Sequence, residues 1–385
     1  MSQKNMTGSG LLKRGTVVLI TGGAGFLGSH LAHALIGAGA KVRVLDDLSC
    51  GGPQRLMGLG SSIELLRGDV RNPIAVQSAM RGVTAVVHLA GVPSTSDLMR
   101  AHEVKVGGAL HILSSARALP SRERPRILLI SSGSVYGRQS SFALHEELPT
   151  MPLTSEGVLC LAVEHLGRVF REVHGVPALS LRMFRAFGPD ETLDRADASV
   201  VLKFIRAALD GRSPAILGDG QQTRDLIYIE NAVTALVQAI AQPELPAFDV
   251  MNIGSGEAVT MNFLWTLVLE LCGKRRMAIE PTFVPAPTWE LKNSRAQIAR
   301  ACRALDWAPT IRLRNGLAKT IEHFLALREG DSSSWFGPPD ELLTRARRST
   351  PPPQIPDDGL ILSEDDIIED NPRPLQLEWV ASAAD

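Results

Sequence analysis

The chain has 385 residues, a formal net charge of −1 and 44% apolar residues, enough to bury the core of one large or two modest globular domains. That balance excludes the broad basic field of a general nucleic-acid or membrane-surface binder. Met1 to Gly15 lacks the apolar stretch of a secretory signal, and no run approaches the roughly 20 apolar residues of a membrane span, so a cytoplasmic location is expected.

Val17 to Ile20 reads as a buried strand, Thr21 to Gly25 as a tight turn and Phe26 to Ala38 as a helix returning over the sheet. Glycines fall at Gly22, Gly25 and Gly28. The first two let the backbone turn sharply and approach a pyrophosphate, and Gly28 lets the helix pack closely on its strand. Phe26 and Leu27 open that helix, where free N–H groups and the dipole favour a diphosphate. A second strand, Val42 to Leu45, ends in Asp46, eighteen residues after Gly28. A carboxylate there accepts from ribose hydroxyls and repels a 2′-phosphate, which predicts NAD rather than NADP. The plainer alternative is a glycine turn followed by a capping aspartate.

Further strand-like runs, Ile63 to Leu66, Ala85 to Leu89, Ile127 to Ile130 and Ala178 to Leu181, alternate with helical segments. This predicts an α/β fold of Rossmann type, a doubly wound parallel sheet with helices on both faces. Beyond Phe184 the regularity loosens at Gly188-Pro189 and Gly218-Asp219-Gly220, marking a smaller C-terminal substrate-binding domain over the sheet's C-terminal edge. The expected division is 14–183 for the dinucleotide-binding domain, with about 222–254 returning to it, 184–328 mainly for substrate, and a disordered acidic, Pro-rich tail at 329–385. Apolar islands in the tail, Leu360 to Leu362 and Leu375 to Val380, either dock a surface or are passive.

Cys50, Cys160, Cys272 and Cys302 form no CxxC pair and show no metal-ligand spacing with the nine histidines, so neither a metal site nor a disulfide framework is expected. His30 and His33, three apart, read as packed or solvent-facing.

Several ordered blocks resemble the extended short-chain dehydrogenase/reductases, in particular their NAD-dependent epimerase/dehydratase branch, of which UDP-glucose 4-epimerase is a familiar member. They are Thr21 to Gly28, Gly68-Asp69-Val70, His88 to Gly91, Ser131 to Gly137 and Gly218 to Asp225, extended by Asn252 to Gly256 and Leu305 to Pro309. The resemblance runs from about Thr16 to Leu327. It implies that Asp69 and Val70 border the adenine, that Leu89, Ala90 and Gly91 line the cofactor path, and that Ser132 hydrogen-bonds the reacting oxygen with Ser134 nearby. Arg224 matches a position that contacts the diphosphate of a sugar nucleotide, or else it pairs locally with Asp225.

The family's Tyr-x-x-x-Lys is missing. On the helix Ser155 to Val173, the register set by Leu161 to Leu166 places Glu156 at the tyrosine position and Cys160 at the lysine position, where it would face the cofactor. The only tyrosines, Tyr136 and Tyr228, have Ser140 and Ala232 four residues later. Glu156 either donates as a carboxyl kept protonated by burial or merely favours the helix dipole. Two family asparagines are replaced by Lys105 and Arg185. Lys105 either approaches the vacated lysine position or Glu156, or is a solvated surface lysine, and Arg185 either recognises an anionic or strongly polar substrate or faces solvent.

The leading expectation is therefore an NAD(H)-dependent oxidoreductase with a non-standard proton donor. It would move hydride between nicotinamide and a carbonyl or carbinol carbon of a small molecule, as a ketone reductase or alcohol dehydrogenase does. The alternatives are a nucleotide-sugar epimerase or dehydratase and a catalytically inactive binding protein for NAD or a nucleotide sugar. The resemblance further implies a homodimer, through flanking helices that include Ser155 to Val173.

Overall fold

Runs of Val, Ile and Leu buried on both faces form the centre of the molecule, the pattern of a parallel sheet covered by helices. The computed structural model describes residues 12, 13, 15–93, 97–191, 198–244, 250–274, 279–288 and 290–328. The expectation of a disordered tail at 329–385 lies outside them.

The first half runs β1 (Val17–Thr21), α1 (Phe26–Gly37), β2 (Lys41–Asp46), β3 (Ile63–Arg67), α2 (Pro73–Ala79), β4 (Ala85–His88), α3 (Leu98–His102), α4 (Gly108–Arg117) and β5 (Arg126–Ser132). The middle holds β6 (Ala143–Leu144), α5 (Ser155–His174), β7 (Ala178–Met183), β8 (Arg185–Phe187), α6 (Val200–Asp210), β9 (Ala215–Leu217), β10 (Thr223–Arg224), β11 (Leu226–Tyr228) and α7 (Ile229–Ala241). The last part adds β12 (Val250–Ile253), β13 (Val259–Thr260), α8 (Met261–Leu271), β14 (Thr282–Val284), β15 (Arg295–Ala296), α9 (Ala299–Leu305) and α10 (Leu313–Arg328).

Seven strands form one parallel sheet in the order β12-β7-β5-β4-β1-β2-β3. The expected Rossmann-type fold is thus present. The chain winds outward in one direction from β1 and in the other from β4. Their junction is the switch point, where the carboxyl ends of two strands diverge and leave a crevice. Parallel pairing puts the ends of β1, β2, β4, β5 and β7 along one edge of the sheet.

Local signals define α5, the helix at this edge. Thr154 caps it by accepting from the Gly157 N–H at 3.2 Å, and Gly175 ends it with a φ of 63°. Asp225 fastens the later segments together. Its buried carboxylate accepts from the Ser255 N–H (2.7 Å) and hydroxyl (2.8 Å), and from the Gly256 and Ala296 N–H groups (3.0 Å each). Burial pushes its pKa up to about 6, although these donors pull the other way. Among the described residues, no helix is long and apolar enough to cross a membrane.

Candidate active site

The switch-point crevice depends on backbone contact. Gly22 has a φ of +72°, and a Cβ there would stand 2.8 Å from both the Cα and the N of Ala90. A Cβ on Gly28 would stand 2.5 Å from the Gly22 carbonyl oxygen. The glycines therefore let the turn, the start of α1 and the loop after β4 close on one another. Gly22, Gly25, Asp46, Asp69, Val70 and Leu89 to Gly91 line one cleft, as the sequence led us to expect. Phe26, Leu27 and Gly28 form the first turn of α1 beside it.

Asp46 ends β2 with its carboxylate mostly buried. Its oxygens accept from the Ala24 N–H at 2.9 Å and the Leu48 N–H at 2.8 Å. Burial raises its pKa, against the pull of those two donors. A carboxylate offers about four lone-pair sites, so hydroxyl donors still find room on each oxygen. Asp46 thus braces the glycine turn while remaining able to receive a ribose. Asp69 is engaged differently: Arg71 grips it through Nε (2.9 Å), Nη2 (2.7 Å) and its backbone N–H (2.8 Å), which holds its carboxyl below the usual range. Val70, nearly fully buried, supplies an apolar wall. These residues fit an adenine dinucleotide. Sequence reasoning missed the loop Asp47 to Gly51 and Val104, which also line the cleft. The signal for the loop was Gly51-Gly52-Pro53, where the Gly52 N–H reaches the Ala24 carbonyl at 3.3 Å.

Ser132 closes β5, opposite Met183 of β7. Its hydroxyl oxygen accepts from the Ser134 N–H at 3.2 Å, which leaves the hydroxyl proton to be offered to a ligand oxygen. The Ser134 hydroxyl is buried with no hydrogen-bond partner among the described residues. Beneath them runs a network the sequence did not reveal. Ser131 donates to Glu164 at 2.5 Å, and Arg182 donates to the same carboxylate through Nε (2.9 Å) and Nη2 (2.8 Å). The Arg182 guanidinium lies 4.7 Å from the Tyr136 ring centroid, and the Tyr136 hydroxyl donates to Asn252 at 2.7 Å. Burial pushes Tyr136 up to about 12. Tyr136 and Tyr228 are both core residues, and neither is on α5.

On α5, Glu156 is exposed in the first turn, whereas Cys160 has no exposed surface. The two expectations therefore change. Glu156 lacks the burial that a permanently protonated donor needs, and Cys160 is a packed thiol rather than a surface in contact with cofactor. Lys105 lies near enough to act electrostatically on both, on the Cys160 thiol and on the Glu156 carboxylate. Burial opposes the Lys105 charge, but these two neighbours outweigh it and its pKa rises. Burial pushes the Cys160 thiol up, against the pull of Lys105.

Arg185, exposed just past β7, and Arg224, on β10, lie near enough for each to act electrostatically on the other. The local pairing of Arg224 with Asp225 is not formed: its guanidinium pairs with Glu290 and donates to the carbonyls of Leu291 (2.8 Å) and Thr223 (2.6 Å). His30 and His33 are buried, with Nε2 atoms 3.1 Å from the Pro189 and Arg55 carbonyls.

A dinucleotide cleft at the switch point, with a serine and helix α5 at the next strand ends, defines a short-chain dehydrogenase/reductase of the extended type. The family model described as the NAD dependent epimerase/dehydratase family matches residues 18–254, and the chain belongs to that family. It is 30% identical to a UDP-glucose 4-epimerase of Mycolicibacterium smegmatis over 320 residues, 80% of this chain and 97% of the relative. It is also 30% identical over 325 residues to UDP-glucuronic acid decarboxylase 1 of Arabidopsis thaliana, 80% of this chain and 69% of that one. A solved UDP-glucuronic acid 4-epimerase from Bacillus cereus, in complex with UDP-glucuronic acid and NAD, superposes with a TM-score of 0.73 at 27% identity, covering 81% of this chain and all of that chain.

Proposed function

We propose that this protein is an NAD-dependent enzyme acting on a nucleoside-diphosphate sugar, of epimerase or decarboxylase type. The observation that carries this reading is a dinucleotide cleft, Ser132 at the end of β5 beside it, and two cations, Arg185 just past β7 and Arg224 on β10, close enough to act on each other. Two cations that are not part of the dinucleotide cleft suit a second phosphorylated ligand, whereas a simple ketone gives them nothing to bind. Near-complete coverage of an epimerase relative favours this alternative over the ketone-reductase expectation.

Asp46 would hold the ribose of NAD and the first turn of α1 its diphosphate, and the nicotinamide would supply a reversible hydride acceptor for the sugar carbon. Ser132 donates its hydroxyl proton in a hydrogen bond to the sugar oxygen as charge develops there. Glu156 takes up the proton of the sugar hydroxyl as that carbon gives up hydride, and gives it back on the return step. Arg224 and Arg185 hold the sugar's own diphosphate. The same reading includes a homodimer, supported by exposed Leu110 on α4 and Val158, Val169 and Val173 on α5.

The test incubates the protein and NAD with UDP-glucose or UDP-glucuronic acid, follows absorbance of reduced cofactor and separates the products. We expect sugar conversion without net NADH, and a loss of roughly 10²-fold in Ser132→Ala and in Glu156→Gln. Turnover confined to simple ketones with stoichiometric NADH consumption would overturn the reading. Undiminished activity in both variants would remove both residues from the mechanism.

A further inference from the structure

Helices α3 and α4 are joined without a break by a π-helical turn, Glu103–Gly107. Such a turn inserts one residue into the helical register and re-aims the side chains on it, and it recurs at functional sites. Lys105 is at its centre. The residue before it, Val104, lines the dinucleotide cleft.

A relay from the glycine turn fixes the Lys105 backbone. His88 Nε2 is 3.0 Å from the Lys105 carbonyl oxygen and its Nδ1 is 2.8 Å from the Thr21 hydroxyl. The carbonyl only accepts, so Nε2 carries the proton and Nδ1 accepts from Thr21. The Ala90 N–H donates in turn to the Thr21 oxygen at 3.4 Å. The strand ends that form the cofactor cleft thereby also set the position of Lys105.

The side chain is half-buried, and its ammonium acts electrostatically on the Cys160 thiol and the Glu156 carboxylate, one turn apart on α5. A thiol is a weak acceptor, so the three ammonium donors suit stronger acceptors.

The geometry points to Lys105 as a working cation of this site: from the π-turn it donates to hydroxyl oxygens of the bound dinucleotide and holds Glu156 beside the reacting sugar. It is a binding and positioning residue, and Cys160 is its seat. This rests on the proposed function for its sugar, but not for its cofactor.

The experiment measures NAD affinity by calorimetry in the full-length chain and, separately, affinity for uridine diphosphate. We expect Lys105→Met to weaken NAD roughly 10- to 100-fold, the range for a charge-assisted hydrogen bond, with uridine diphosphate affinity unchanged. Lys105→Arg should recover most of the loss. Lys105→Asn combined with Cys160→Lys, which delivers the ammonium from α5, should bind NAD better than Lys105→Asn alone. Unchanged NAD affinity in folded Lys105→Met overturns the proposal. Should that variant fail to fold, a double variant no better than Lys105→Asn overturns it. Failure of the wild type to bind uridine diphosphate would count against the nucleotide-sugar reading and leave the Lys105 result to stand or fall on NAD.

Discussion

Arg224 is paired with Glu290, sixty-six residues away, and not with its neighbour Asp225. The pair is only slightly exposed, with side chains at 12% and 15%. Burial depresses the Arg224 pKa, with Glu290 opposing and Arg185 reinforcing that shift. Glu290 thus neutralises a cation that the proposed function assigns to a diphosphate, and an anionic ligand must share or displace it. Glu290→Gln keeps the shape and removes the competing charge. We expect it to bind uridine diphosphate roughly 3- to 10-fold more tightly at low salt, the scale of a partly exposed ion pair, and a calorimetric titration checks this.

The Asp46 carboxylate braces the glycine turn through Ala24 and Leu48, and its charge would repel a third phosphate. Asp46→Ala should weaken NAD about tenfold or more and narrow its advantage over NADP, since only NADP is relieved of repulsion. Asp46→Asn should keep part of the turn because the amide oxygen still accepts. Competitive titration with both dinucleotides separates the two effects, and equal losses for NAD and NADP would mean that the carboxylate acts on the turn alone.

The Glu164–Arg182 pair, with side chains 8% and 5% exposed, tests what removing half of a buried pair does. Glu164→Gln leaves the guanidinium in the interior without its counter-charge, and we expect a loss of about 3–5 kcal/mol in denaturant unfolding. Replacing both residues together, Glu164→Leu with Arg182→Met, should cost less than the single change. Both effects should appear in the denaturation midpoint.

His88 supplies a pH dependence with a definite sign. Burial lowers its pKa to about 4, below the ordinary 6.5. Between these values the unfolded chain takes up a proton that the folded chain refuses, so stability is lost as pH falls. From about pH 7 to about pH 5 this one group accounts for about 2 kcal/mol. His88→Gln should flatten that part of the wild-type stability curve, as measured by urea unfolding at the two pH values. An unchanged slope would assign the acid sensitivity to other groups.

The sheet was legible because its strands are continuous apolar runs and its turns carry glycines whose φ or close contacts exclude a side chain. Val17 to Thr21 and Gly22 to Gly28 announced themselves for that reason, and Asp46 followed from its spacing. What the sequence hid were pairings made by tertiary folding alone. Lys105 and Cys160 are fifty-five residues apart, and the packing of the π-turn segment on α5 brings them together. The exposure of Glu156 depended on how α5 sits on β5 and β7, which no periodicity encodes. Nor did the sequence show that Tyr136 is a core residue held by Asn252 and Arg182.

The position of β12 has a consequence for how the protein is made. It is the edge strand beside β7, yet Val250 follows Met183 only after the whole span from β8 to α7. On the ribosome, at roughly 5–20 residues per second, the β7 edge waits several seconds for its neighbour, a bare row of N–H and C=O groups open to pairing with another nascent chain. Slow decoding between Met183 and Val250 would lengthen that exposure, and the yield of soluble protein should depend on codon choice there more than on codon choice before β7.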